Sequence, residues 1–452
     1  MQKRPRSADD GGRGARDHCD RMTIAVPTTE TVALSLLDEL FLGLDRREEP
    51  WNVHFEVRVG ARVDADRLAD AVRAAARLHP IARAALASWR LSDCGYRWEI
   101  AAELCEVPLD IAACADEAAL AAARERLMGV SPSLEAAPPF KLLLAHGPAG
   151  DSIVLNLHHA AGDGVAAARL MRSILRAYAG EDDPPASVDP LAVRDLRALA
   201  GATSLHQRRV RGRAMARQAA HQWTPAARLA GDGGRDRAGY GFELLALSPA
   251  ETAAVLARRA SGQTVNDVLL AALAVAIRRW NSDHQRRAGR ITLTMPVNLR
   301  PAPWRTDVVG NFASYMTISI AARDAHDVGR AAAVVGEQTR AIKREGLAGT
   351  VIDLLAGPSL LPIAVKRRLD VLIPLTGDVV VDTASLSNLG TVDPLPVQAV
   401  WFSPPGRMPL GAMLGAATVG GRLHLTLRYR HAQFDRAGGE AFARLYRAVL
   451  LA

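Results

Sequence analysis

The stretch Ser152-Ile153-Val154-Leu155-Asn156-Leu157-His158-His159-Ala160-Ala161-Gly162-Asp163-Gly164 decides how the chain reads. An apolar run of strand length delivers two adjacent histidines to a tight turn, and the residues from Gly164 to Tyr178 then read as a helix, which Asp163 is placed to cap. Chemistry is favoured at such a strand end, because the scaffold fixes the side chain while the loop leaves room for substrate. Neighbouring strand residues face opposite sides, so only one of His158 and His159 can enter a given cavity. The small residues Ala160, Ala161 and Gly162 suggest open space beside His159. An imidazole that titrates near neutrality can take a proton from an alcohol or an amine, so His159 is the candidate general base and His158 a structural residue.

The same strand and helix punctuation extends outward in both directions. Upstream, Ser35 caps a short helix beginning at Leu36, and Trp51 to Val59 alternates like a half-buried strand. Asp64 opens a helix that His79-Pro80 closes. Tyr96 to Ile100, Phe140 to Ala145 and Ile153 to Leu157 read as further strands. Gly180 to Pro185 is a turn signal, and the Arg- and Ala-rich residues after it predict a helix without a clean apolar stripe. Beyond it come a strand over Gly241 to Leu247, a buried helix over Thr264 to Asn281 with Asn266-Asp267 as its cap, and a strand over Ile291 to Asn298. A strand over Ser314 to Ile320, helices between Val328 and Leu369, and a strand over Val379 to Ser387 follow. Gly420-Gly421 turns a hairpin over Leu414 to Tyr429, and a helix from Phe434 closes the chain.

Size and composition suit two domains: 452 residues, 49% hydrophobic and 23% charged. Residues 1–25 read as a disordered tail, 26–180 as a first unit, 181–235 as a basic crossover and 236–452 as a second unit. The formal charge is +8. Lys stands only at Lys3, Lys141, Lys343 and Lys366, so nearly all of the positive charge is scattered arginine, which reads as solvated surface. The densest run, Arg208 to Arg217, could meet an acidic carrier protein or the periphery of an anionic membrane. No aromatic platform or groove-reading motif accompanies it, so nucleic acid is not expected as a partner. Cys19, Cys94, Cys105 and Cys114 lack metal or disulfide spacing, so no metal site is predicted. No signal peptide or membrane span is legible, and the expected setting is cytoplasmic.

The run His158 to Gly164 resembles the HHxxxDG signature of the coenzyme-A-dependent acyltransferase superfamily. That superfamily includes the condensation domains of nonribosomal peptide synthetases, the wax ester synthase/diacylglycerol acyltransferases, plant BAHD enzymes and chloramphenicol acetyltransferase. The resemblance spans nearly the whole chain. It takes in Asp64 to Arg83, Val265 to Leu270, Met295 to Pro301, Gly310-Asn311-Phe312 and the Ser387-Asn388-Leu389-Gly390 loop. It implies an α/β (α+β) fold of two chloramphenicol-acetyltransferase-like domains forming a V, with a tunnel at their interface. It also implies that acyl thioester and acceptor meet at His159, and that Asp163 is structural and paired with an arginine, for which Arg300 is the candidate. Gly164 completes the motif. Asn298, Asn311, Ser387 and Asn388 are candidate substrate or oxyanion contacts, alongside the Gly164 amide.

These residues predict an acyltransferase that moves an acyl group from a thioester to a hydroxyl or amine in lipid or natural-product biosynthesis. The donor would be acyl-CoA or a phosphopantetheinyl carrier protein, the acceptor a small molecule or lipid. No permanently bound cofactor is expected, and the protein would act as a monomer. No nucleophile elbow accompanies the histidine, so no acyl-enzyme is needed. Lys141 stands in Pro138-Pro139-Phe140-Lys141, where wax ester synthases carry a Pro-Leu-Trp pattern. Two alternatives remain at this point: a stand-alone condensation enzyme that joins carrier-bound substrates through an amide, and a non-catalytic binding descendant.

Overall fold

The structure, a computed structural model, describes residues 28–222, 226–235, 238–287, 289–372, 381–392 and 396–452. The expected tail over residues 1–25 lies outside these. In the first half, strands β1 (Thr28–Ala33), β2 (Asn52–Val59), β3 (Ala84–Leu86), β4 (Arg97–Ala101), β5 (Leu109–Ala113), β6 (Phe140–Gly147) and β7 (Gly150–His158) alternate with four helices. These are α1 (Leu36–Leu44), α2 (Ala65–Leu78), α3 (Glu117–Met128) and α4 (Gly164–Ala179). Helices α5 (Leu196–Ala200) and α6 (Leu205–Gln222) form the crossover. The second half holds β8 (Tyr240–Ala246), α7 (Pro249–Ala257), α8 (Val265–Asp283), β9 (Ile291–Asn298), β10 (Ala313–Ile320), α9 (Val328–Arg344), α10 (Thr350–Ala356) and α11 (Ile363–Leu372). It ends with β11 (Ala384–Thr391), β12 (Ala399–Ser403), β13 (Ala412–Val419), β14 (Arg422–Arg430) and α12 (Arg436–Leu451).

Two large sheets organise two mixed α/β lobes. The first lobe carries the order β12-β2-β7-β6-β5, and the second β10-β9-β11-β13-β14-β8; a small sheet β1-β4-β3 flanks the first. Each sheet has its own apolar core. One is built around Phe55, Leu155, Leu170 and Trp98, the other around α8, where every residue from Val268 to Ile277 is buried. A helix apolar on all sides must be covered on all sides. Accordingly, α8 lies among α9, α12 and the sheet.

Local chemistry sets the element boundaries. Ser35 and Asp38 form a reciprocal capping box at the start of α1, which satisfies two of the orphan amides there. Asp64 caps α2, and Asp163 caps α4. At α8 the cap is Thr264, with Asp267 closing a capping box. Asn266-Asp267 is therefore not the cap itself: Asp267 sits at the third helical position, and Asn266 turns its amide to the sulfur of Met295. Gly420 and Gly421 both take positive φ, 54° and 71°, as the tight turn between β13 and β14 requires.

Three expectations change. β2 is not half-buried, because six of its eight residues are buried, polar Asn52, His54 and Glu56 among them. Its neighbours explain this. β7 pairs on one side, and on the other pairs β12, a strand from the second half of the sequence. The boundary drawn at residue 236 thus does not confine the second half to the second lobe. The strand expected from Val379 begins at Ala384, with residues 379 and 380 outside the described set. Helices α3 and α7 and the short strands β1, β3 and β5 were not legible, being small or rich in Ala.

The basic run in α6 divides by exposure. Arg208, Arg209, Arg213 and Arg217 face solvent, whereas Arg211 is buried and fastens the crossover by donating to the Gly346 and Ala200 carbonyls and pairing with Asp353 at 2.6 Å. Among the described residues, no helix is long and apolar enough to cross a membrane.

Candidate active site

β7 hands the chain to α4 through a turn in which every small residue has a reason. The His159 N–H donates to the Trp51 carbonyl at 3.0 Å, and the Ala161 N–H to that of His158 at 2.9 Å. Ala160 and Ala161 are fully buried in the first core, and a Cβ on Gly162 would stand 2.9 Å from Ala166 and Leu157. These three residues therefore pack the turn, and they do not open space beside His159. Gly164 is the small residue that borders the cavity, since a Cβ there would come within 2.5 Å of the Phe402 ring.

The histidines part company, as alternating strand geometry requires. His158 is buried: its Nδ1 accepts from the Ala160 N–H at 3.1 Å, and its Nε2 lies 3.7 Å from Asp45. Burial works to raise the Asp45 pKa, but bonding and attraction to His158, with help from Ser131 and the Trp51 amide, leave it below its usual range. His159 borders a cavity of about 230 Å³ between the two lobes. Its ring lies against Phe41, with centroids 3.9 Å apart, and its Nδ1 is buried without a partner among the described residues. Burial drives the His159 pKa down to about 4, against the opposing influence of its own carbonyl, Asp163 and Asn311. A ring held neutral at physiological pH is a ready proton acceptor.

Asp163 does three jobs with two oxygens. It caps α4 through the Ala166 N–H (2.9 Å), receives the Phe312 N–H (2.9 Å), and takes a two-pronged ion pair from Arg300 at 2.8 and 3.0 Å. Burial would raise its pKa, yet the Arg300 charge and these bonds hold it below the usual carboxylate range. Arg300 is itself fully enclosed: it donates to the Val308 and Gly310 carbonyls and lies over the Phe312 ring at 4.5 Å. The pair therefore ties the second lobe's loop to the histidine turn.

The asparagines are spent on scaffolding. Asn298 accepts from the Arg300 backbone and guanidinium through Oδ1 and donates to the Arg305 carbonyl. The Asn311 amide donates to the carbonyls of His159 (2.7 Å) and Ala160 (2.8 Å) and to Asp38 (3.1 Å). Asn388 closes its own turn by accepting from the Gly390 N–H, whereas Ser387 borders the cavity.

The sequence reading missed much of the cavity wall. Phe41, Leu44, Trp51, Phe402, Pro404 and Pro405 form an apolar side, and Thr294, Ser314, Ser385 and Ser387 a hydroxyl-bearing one. Also missed was Asp38, wholly buried, which receives Asn311, Trp98 Nε1 and Arg194. Its one signal was the Ser35-to-Asp38 capping spacing. Leu44 also borders a second cavity of about 480 Å³ along α1, with Leu36, Leu40, Leu86 and Trp89 on its walls.

Comparison with known proteins agrees with this architecture. The chain matches the Condensation domain family over residues 40–349. It is 38% identical over 439 residues, 94% of this chain and all of the other, to an uncharacterized protein of Mycobacterium tuberculosis found in strains CDC 1551 and H37Rv. Among solved structures, it resembles the first condensation domain of the calcium-dependent antibiotic synthetase in complex with a substrate analogue. That match has a TM-score of 0.69 and 15% identity, covering 94% of this chain and 97% of that one. The epimerization domain of tyrocidine synthetase B gives a TM-score of 0.64 at 18% identity, covering 93% and 96%. SgcC5 of Streptomyces globisporus gives 0.61 at 16% identity, covering 93% and 98%. With the two lobes, the histidine turn at the end of β7 and the Asp163–Arg300 tie between them, the chain belongs to the condensation domain family of the coenzyme-A-dependent acyltransferase superfamily.

Proposed function

We propose that the protein is an acyltransferase that moves an acyl group from a thioester, carried by coenzyme A or a phosphopantetheinyl carrier protein, to a hydroxyl or amine in natural-product or lipid biosynthesis. One observation carries this reading: His159 stands at the wall of an inter-lobe cavity with Nδ1 sealed from solvent, where burial favours its neutral form. Nε2 is then the nitrogen that takes the acceptor's proton as the acceptor attacks the thioester carbonyl. The same nitrogen returns that proton to the departing thiolate, so the histidine ends as it began.

The oxyanion needs a donor at the moment the carbonyl is attacked. Asn298 and Asn311 already spend their amides elsewhere. The first amide of α4, at Gly164, borders the cavity and makes no hydrogen bond among the described residues. It stands at the positive end of a 16-residue helix, which suits it to developing negative charge. The apolar side of the cavity suits the acyl chain, which can continue past Leu44 into the cavity along α1.

The family match favours a second reading, a stand-alone condensation enzyme that takes both partners from carrier proteins and forms an amide. A single assay separates the two. The protein is offered a panel of acyl-CoAs and the same acyl groups on a carrier protein, with mixed alcohols and amines, and products are read by mass. Turnover of free acyl-CoA supports the first reading, and an absolute need for the carrier supports the second. In either case His159→Ala should lower turnover about 100- to 10,000-fold. Unchanged transfer in that variant would overturn the assignment of His159 as the base, and no turnover of any donor by the wild type would leave a non-catalytic binding role.

A further inference from the structure

The hydroxyl-bearing side of the cavity has a chemistry that the transfer step leaves unused. Thr294 of β9 is paired in the sheet with Thr317 of β10 and with Ser385 of β11. Thr294 and Thr317 both donate their hydroxyls to the same oxygen of Asp382, at 2.6 and 3.0 Å. Asp382 is buried, which raises its pKa, and the hydrogen bonds from Thr294 and Thr317 oppose that rise more strongly than the charge of Arg290 does. A hydroxyl has a single proton. Thr294 has committed its proton to the carboxylate, so what it offers the cavity is lone pairs. Ser385, beside it, is only 4% exposed, borders the cavity, and its hydroxyl has no partner among the described residues. A buried hydroxyl left unpaired is costly, which points to a ligand that completes it. The rest of the lining is largely apolar, with Phe41, Leu44, Val53 and Phe402 beside His159 and the Gly164 amide that the transfer step uses.

We propose that Thr294, its hydroxyl held by Asp382, and Ser385 beside it form a subsite for a hydrogen-bond-donating group of the acceptor, a hydroxyl or an ammonium, distinct from the nucleophile that His159 deprotonates. The acceptors are then bifunctional, diols or amino alcohols, and not simple long-chain alcohols. The acyl chain takes the apolar wall because the opposite one presents oxygen. Calling this group part of the acceptor rests on the acyl-transfer reading; the existence of the subsite does not.

The test is a calorimetric titration, without acyl donor, of three compounds that differ in one group: phenylethanol, styrene glycol and phenylethanolamine. The wild type should bind the glycol or the ethanolamine at least ~10-fold more tightly than phenylethanol, and which of the two leads tells hydroxyl from ammonium. Thr294→Val keeps the shape and removes the oxygen, and should erase most of that preference while weakening phenylethanol far less. Asp382→Asn makes the residue behind Thr294 a donor, turns the threonine proton toward the cavity and should also collapse the preference. Equal binding of all three compounds by the wild type, no binding of any of them, or a preference that survives Thr294→Val would overturn the subsite. His159→Ala in the same titration should retain the preference. Loss of transfer in His159→Ala with no preference in the wild type would thus condemn the subsite alone, and the reverse pattern the base alone.

Discussion

The residue proposed to carry the chemistry is set apart by what its environment refuses to supply. His159 sits against Phe41 with one nitrogen sealed, and its pKa falls to about 4. On the proposed mechanism the ring is therefore unprotonated, and able to accept a proton, well below neutral pH. The expected profile of kcat/KM is flat from pH ~8 down to ~5 and falls below that, whereas an ordinary histidine would begin to lose activity near pH 6.5. Initial rates after short exposure to each pH check this, and an acid limb centred near 6.5 would mean that the cavity hydrates the ring. Asp163 works through Arg300. Asp163→Asn leaves a guanidinium fully buried with no counter-charge, which should cost about 3–5 kcal/mol and lower the melting temperature along with activity. If only activity falls, the carboxylate acts on the reaction directly. His158, His159, Asp163 and Gly164 were legible because fixed spacing places them on one turn. Asn311 and Asn298 were legible as polar residues near the site but not as scaffolding, since donor direction depends on partners more than 100 residues away in the case of Asn311.

Among the elements, α1 stands on the proposed acyl path, because its last residue, Leu44, borders both the cavity at His159 and the one along the helix. Leu44→Trp should fill that junction. Long-chain acyl donors such as lauroyl-CoA should lose ~10-fold or more in kcat/KM while acetyl-CoA is nearly unaffected, a discrimination of the size that a few methylenes produce in an apolar pocket. Equal losses for both donors would place the acyl chain elsewhere. The existence of α1 was readable from Ser35 and the apolar spacing after it. That it would form a cavity wall was not, because that depends on α10 and α11 coming across from the second half of the chain. β12 shows the same limit. Ala399–Ser403 was not read as a strand from the sequence, and its pairing with β2 places it in the first lobe's sheet.

At the scale of the whole molecule, the two lobes together bury many titratable groups, and this fixes how stability responds to acid. Burial depresses His54, His79 (to about 3), His159 (to about 4) and His424 (to about 4). The unfolded chain protonates these near pH 6.5 and the folded chain refuses, so their contribution is complete above pH 6.5 and is lost as pH falls toward 4. Glu56, lowered to about 2 by Arg124 and His54 despite burial, and Asp163 extend the loss below the ordinary carboxylate range. Glu243 runs the other way. Burial first, then Glu440, raises it to about 7, so the folded chain holds a proton that the unfolded chain releases near pH 4.5. Its stabilising effect is present at low pH and is lost as pH rises from 4.5 through 7. The melting temperature should therefore fall on acidification from pH ~7 to ~5, with Glu243 partly offsetting the histidines. Glu243→Gln removes that offset: it should stabilise by about 1–2 kcal/mol at pH ~8, after allowance for solvent screening of a half-buried group, and by almost nothing at pH ~5. Melting curves of the two proteins across this range decide it, and a gain that is the same at both pH values would show that Glu243 is ionised throughout.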